Sequence, residues 1–300
     1  MRVFLATAGV LALAASAVAQ DTGLSNVYST TVNGDFVVAG AGTRSSSNGQ
    51  SDPFSVSIAG VPGGATIVKA YASWNYLTNA PGTHGAITID GNAVAGSVVG
   101  TGADLCWGQA QGESYLADVT SLVSGNGSYS IGGAIDEGGV GLGEGFSLLV
   151  IYDDGVSPAR EVNVFAGYDS DQDGDPAEAT FSWTTPYDGS STHFFVNALD
   201  GQTADDMFLI NGTDGSPLSG GSPFDAWQGL LGPGFAGTNY YDHAEGDVGG
   251  YLSLGDTSLT LASNTGSDCV GHSFGAISIV PEPASMALLA LGALALRRRR

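Results

Sequence analysis

The chain has 300 residues, with 30 Asp and Glu against 8 Lys and Arg, a formal net charge of −22. Such a surface repels nucleic acid, excluding it as a partner, and repels anionic lipid, so that any membrane association is expected to be transient and through the C-terminal segment; it favours divalent cations. Glycine accounts for 47 residues, but 43% hydrophobic and 9% aromatic content excludes a disordered linker.

Arg2 precedes an apolar run over 3–15, and Ala17-Val18-Ala19 fits the small-x-small cleavage rule. Residues 1–19 therefore read as a signal peptide, and the mature chain as starting at Gln20 or Asp21. Short β-type runs then follow, punctuated by turn residues. They fall at 36–39, 54–58, 66–76 and 86–89, the last leading into the hairpin signal Asp90-Gly91-Asn92. The segment 114–123 (SYLADVTSLV) reads as a short helical turn delivering Leu116, Val119 and Leu122 to the core. The series continues at 128–131, 146–152, 162–168, 180–183, 193–198, 207–210, 258–262 and 276–280. Strands of this length and spacing predict an all-β Greek-key sandwich or jelly roll over 20–279. Two stacked sandwiches divided near 155–160 are the alternative.

Four segments in one order carry a resemblance. They are Lys69-Ala70-Tyr71-Ala72-Ser73-Trp74, then 115–123 (YLADVTSLV), then Gly125-Asn126-Gly127-Ser128-Tyr129, then 146–152 (FSLLVIY). Together they resemble an extracellular domain of uncharacterised function found in bacterial and archaeal surface proteins. The resemblance implies a surface location and a β-rich fold, and it supplies no catalytic residues.

Cys106 and Cys269 lie in a chain that reads as exported, so a disulfide is the default expectation. The sharpest internal motif is Asp169-Ser170-Asp171-Gln172-Asp173-Gly174-Asp175. Carboxylates at alternate positions before a glycine resemble the front half of an EF-hand-type Ca²⁺ loop. The twelfth position is Thr180 rather than Glu, Glu178 comes two residues early, and Pro176 stiffens the exit. Two readings stand: Ca²⁺ held by Asp169, Asp171, Asp173 and Asp175, or an acidic solvated hairpin.

Other motifs carry less. The cluster Asp242-His243-Ala244-Glu245-Gly246-Asp247 matches no zinc spacing and reads as a polar surface loop. His84, His193 and His272 are dispersed, and His193 beside Phe194-Phe195 reads as a strand residue. Gly271-His272-Ser273-Phe274-Gly275 fits the nucleophile-elbow letters, but the acid and histidine that should follow are missing, so it reads as a β-turn. The glycine run at 138–143 lacks the Lys-Ser/Thr of a phosphate loop. Lys69 reads as a snorkelling strand lysine rather than an isopeptide donor. Trp107, Trp183, Trp227, Tyr240 and Tyr241 lie near glycine-rich turns, where aromatics either bind sugars or fill the core.

The last residues form a tripartite pattern: Pro281-Glu282-Pro283, an apolar run over 286–296, and Arg297-Arg298-Arg299-Arg300. The proline pair keeps the backbone extended, the apolar run is short for a stable span, and the arginines resist export. Residues 280–300 resemble the PEP-CTERM sorting signal, which implies processing by an exosortase and a C-terminal sorting helix. With both end segments set aside, Arg44, Lys69 and Arg160 face 29 acidic residues, a balance of −26. The expected function is an exported, non-enzymatic envelope or matrix protein among exopolysaccharide, structural or adhesive. The alternative is a Ca²⁺-dependent, lectin-like carbohydrate-binding module.

Overall fold

The computed structural model describes residues 21–44, 52–135, 141–201, 206–224, 226–227, 235–236, 240–266 and 269–281. In chain order the strands are β1 (Gly23–Gly42), β2 (Phe54–Ile58), β3 (Thr66–Thr78), β4 (Ala86–Ile89), β5 (Asn92–Ala95) and β6 (Ser97–Gly102). Next come β7 (Gln111–Asp118), β8 (Gly127–Gly132), β9 (Gly141–Asp153), β10 (Ala159–Ser170), β11 (Ala177–Ser182) and β12 (Thr192–Leu199). The last six are β13 (Asp206–Ile210), β14 (Thr213–Asp214), β15 (Phe235–Ala236), β16 (Tyr241–Gly246), β17 (Ser258–Thr265) and β18 (Gly271–Ile279). A four-residue helix, α1 (Ser216–Ser219), follows β14. The fold is all-β, as expected. The sorting helix falls outside the described residues.

β1 organises the molecule. Its first half, from Gly23 to Asn33, pairs antiparallel with β10; from Gly34 onward it pairs antiparallel with β9. The switch falls on Gly34, where a Cβ would lie 2.0 Å from the Tyr152 carbonyl oxygen, so only glycine fits. Two inner sheets therefore share one strand. One runs β1-β9-β3-β7-β6 and the other β1-β10-β18-β12-β16. Each has an outer sheet of its own: β2-β8-β4-β5 and β11-β17-β13-β14 respectively.

Side-chain alternation stacks these sheets into four layers. On β9, Phe146, Leu148 and Val150 pack with Phe54, Val56 and Ile131 of the first outer sheet. The intervening Leu149 and Ile151 join Val162, Val164, Phe195, Phe274 and Ala276 of the other inner sheet. On the far side, Phe165, Phe194 and Ile277 pack with Phe181, Phe208, Leu259 and Leu261 of the second outer sheet. Inner strands are thus covered on both faces: all nine residues of β18 are buried, whereas β2 and β11 alternate buried and exposed. The chain crosses from one inner sheet to the other at 154–158, between β9 and β10.

Polar residues fasten the two inner sheets. A register shift between Val196 and Leu199 leaves backbone N–H groups of β18 without strand partners. Asn197 Oδ1 accepts those of Ser273 and Phe274 at 3.0 and 2.9 Å. Its Nδ2 donates to Ser273 Oγ and to the Tyr241 hydroxyl, which meets Ser147 Oγ of the opposite sheet at 2.6 Å. Gly145 admits the Tyr241 ring, which a Cβ there would meet at 1.9 Å. The Cys106–Cys269 disulfide, with Cα atoms 6.2 Å apart, ties the loop after β6 to the entrance of β18.

The segment 114–123 departs from its expected helical turn. β7 runs through Asp118, and only Thr120–Leu122 forms a 3-10 turn. Tyr115 and Ala117 alternate into the first core, so tertiary packing overrides the local helical spacing.

Candidate functional site

β12 and β16 pair antiparallel, with Phe195 opposite Glu245 and Asn197 opposite His243. Alternate residues share a face, so His193, His243 and Glu245 come together on the side turned toward β1. His193 Nε2 lies 3.0 Å from Glu245 Oε1, and its Nδ1 lies 3.4 Å from Asp35 Oδ1. The imidazole stacks flat on Phe36 at 4.1 Å. Burial alone would depress its pKa; hydrogen bonds to Asp35 and Glu245 outweigh this and raise it to about 9. Asp35 is held below the usual carboxylate range: burial opposes ionisation, but His193, Arg160 and the Ser278 hydroxyl more than offset it. Arg160 Nε is 3.4 Å from Asp35 Oδ2, and Ser278 Oγ donates to Asp35 Oδ1 at 2.8 Å.

His243 behaves oppositely. Burial lowers its pKa to about 4, with the Glu245 charge opposing, so its ring is neutral at pH 7. Its Nε2 is 3.9 Å from Glu245 Oε2. His193, His243 and Glu245 floor a cleft of about 720 Å³ whose walls include Val37, Ala59, Pro217 and Leu218.

The segment 242–247 was expected to be a polar surface loop. Instead β16 extends to Gly246, and Asp242 and His243 are buried. Tyr241 and Ala244 anchor it, one to each core that flanks this sheet. The period-2 spacing of His243 and Glu245 was the available signal for a shared face. Nothing local revealed that His193, 52 residues away, would join them.

The aspartate-rich segment is the turn between β10 and β11. Asp169 sits half-buried on β10 and accepts the Glu178 backbone N–H at 2.8 Å. Asp171 Oδ1 accepts the Val270 N–H at 3.1 Å, next to the disulfide. Asp173 accepts the Asp175 N–H, and both are exposed. Asp169 faces Asp21, whose carboxylate holds the backbone N–H groups of Ala103 and Ser170. Burial, reinforced by the charges of Asp21, Asp173 and Glu178, pushes the Asp169 carboxyl up to about 7. Among the described residues, no group of three or more His, Cys, Asp or Glu side chains is placed to hold a metal.

Ser273 is fully buried within β18, not on an elbow, and its hydroxyl accepts from Asn197. His272 is buried beside it; its ring nitrogens meet Asn197 O at 2.6 Å and Ser263 Oγ at 2.8 Å. Burial lowers its pKa to about 4. Lys69 pairs with Asp118 at 2.5 Å near the rings of Tyr28 and Tyr71, a snorkelling arrangement. Trp183, Trp227 and Tyr241 fill cores. Trp107 is 38% exposed, donates to Asp200 at 2.7 Å and covers the Arg44 guanidinium, which pairs with Glu144. His84 stacks on Tyr76 and meets Thr78 Oγ1 at 2.9 Å. Pro281 is half-buried; Glu282 and Pro283 lie outside the described residues.

A family described as a protein of unknown function (DUF3344) matches residues 19–274. The chain belongs to this family. The PEP-CTERM protein-sorting motif matches residues 280–300. This DUF3344 protein is therefore exported to the cell envelope or extracellular surface and processed by an exosortase, a membrane protein. Among the described residues no helix is long and apolar enough to cross a membrane. No curated protein matches the chain. Among solved structures it is similar to a beta-porphyranase of glycoside hydrolase family 86 from the human gut bacterium Bacteroides plebeius. That match has 12% identity, covers 89% of this chain and 37% of the porphyranase, and has a TM-score of 0.23, which carries no argument about fold or activity.

Proposed function

We propose that this DUF3344 protein is a non-enzymatic structural or adhesive component of the cell surface or extracellular matrix, displayed among exopolysaccharide. The observation that carries the reading is the four-layer body, whose inner sheets are covered on both faces, share β1 and are tied by the Cys106–Cys269 disulfide. Its buried hydrogen-bond network is spent on fastening layers, and Ser273, the one nucleophile-type motif, is sealed inside it. The test is a chromosomal deletion scored for matrix cohesion and surface attachment, complemented by the intact gene. Unchanged cohesion and attachment, or turnover of a polysaccharide or ester by the purified protein, would overturn the proposal.

A second reading is a carbohydrate-binding module. The cleft beside His243 and Glu245 favours it, because concave sites with aliphatic walls and a few converging polar groups are the usual form of small-ligand sites. Calcium bound by Asp169, Asp171, Asp173 and Asp175 belongs to this reading through the acidic spacing alone. Calcium calorimetry on residues 21–280 tests it. A saturable heat abolished by Asp171→Ala would support the calcium loop, and no saturable heat would refute it.

A further inference from the structure

We propose that the cleft between β1, α1 and β16 binds a neutral polyhydroxylated ligand, a saccharide residue, through Glu245 and His243 and without a metal. The proposal rests on the carbohydrate-binding reading and moves the site away from the aspartate-rich turn.

Charge selects the ligand class. At the floor the Glu245 carboxylate meets the His193 imidazolium, and behind His193 the Asp35 carboxylate meets the Arg160 guanidinium. The floor is thus close to neutral. A cationic ligand finds both carboxylates already compensated. An anionic ligand finds no spare positive charge on a chain whose segment 20–279 carries −26. A neutral ligand carrying its own donors and acceptors suits what is left.

Geometry narrows it further. Glu245 Oε1 is engaged by His193, while Oε2 faces His243 Nε2 across 3.9 Å. Adjacent hydroxyls on a sugar ring are about 3 Å apart, near hydrogen-bond length. One hydroxyl donates to Glu245 Oε2 while its neighbour meets the His243 ring edge. Val37, Ala59, Pro217 and Leu218 give the C–H faces of the ring aliphatic walls, and 720 Å³ admits one or two sugar units. His193 is a positioning residue: locked between Asp35 and Glu245 and stacked on Phe36, it fixes the carboxylate that contacts the ligand.

The experiment is a glycan array with the disulfide-intact 21–280 protein, carrying neutral, uronic-acid and amino-sugar oligosaccharides, with and without EDTA. Calorimetry then follows on the strongest neutral oligosaccharide. The expected result is neutral-glycan binding indifferent to EDTA. Ala59→Trp, at an exposed position, fills the cleft and should abolish binding with an unchanged melting temperature. Glu245→Gln should weaken binding about tenfold, the equivalent of one charged hydrogen bond. Binding that EDTA or Asp171→Ala removes but Ala59→Trp leaves intact would overturn this site while sparing the carbohydrate reading. An array empty in every class would overturn both.

Discussion

His193→Gln isolates the charge of the imidazole at the centre of the cleft. The native pKa is raised from 6.5 to about 9, so the folded protein holds this proton more tightly than the unfolded chain. A raised cationic pKa stabilises fully below the unfolded value, and the contribution fades as pH rises through the folded value. About 2.5 units at about 1.4 kcal/mol each sets a ceiling of about 3 kcal/mol below pH 6.5. The side chain is 22% exposed, so solvent screening trims this to about 2 kcal/mol. Gln retains hydrogen-bonding capacity without the titratable charge. Urea unfolding should therefore show the variant about 2 kcal/mol less stable at pH 6, and the gap should close by pH 9.5. Proton NMR of the imidazole supplies the pKa independently. A deficit of equal size at all three of pH 6, 7.5 and 9.5, or a measured pKa near 6.5, would refute the account of Asp35 and Glu245 as a carboxylate clamp.

Asp169→Asn should stabilise by about 1 kcal/mol at pH 8, after discounting for its half-exposed position, and change nothing at pH 4. The sign follows because burial raises the folded pKa to about 7, so ionisation opposes folding above the unfolded value; denaturant melts at both pH values check it. Reducing the Cys106–Cys269 bridge opens a loop of 163 residues and should cost about 5 kcal/mol in the chain-entropy view, seen as a lower urea midpoint with dithiothreitol. Asn197→Ala strands the buried N–H groups of Ser273 and Phe274 and should cost about 3 kcal/mol, read by thermal unfolding.

Most strands were legible because turn residues bracket them, as Asp90-Gly91-Asn92 brackets the β4–β5 hairpin. β1 was read only at 36–39. Its earlier half is rich in Ser, Thr and Asn and partly exposed, so no alternation marks it, although it carries the ladder to β10. Layering was harder to read. A run such as 146–152 announces burial on both faces, but which sheet covers each face is decided by contacts distant in sequence. The cleft depends on the register of β12 against β16, and register is a pairing property that no local window contains. Asp169 was read from the sequence as one of four carboxylates in an acidic turn. The charges around Asp169 come from Asp21, just ahead of β1, from Asp173 of its own turn and from Glu178 on β11, so only part of its surroundings was local in sequence.

The sharing of β1 between the inner sheets also bears on how the chain folds during export. β1 leaves the membrane early, yet its partners are residues 145–168, more than a hundred positions later. For that interval a twenty-residue strand has no ladder to join, the kind of edge that aggregates. Closure at the other end is later still. β18 inserts between β10 and β12 and ends at Ile279, directly before the sorting segment. The body therefore completes itself only when its last strand has emerged, which times folding to the arrival of the processing site at the membrane. Such non-local pairings assemble slowly, so the interval before β18 emerges is the stage of folding most exposed to aggregation.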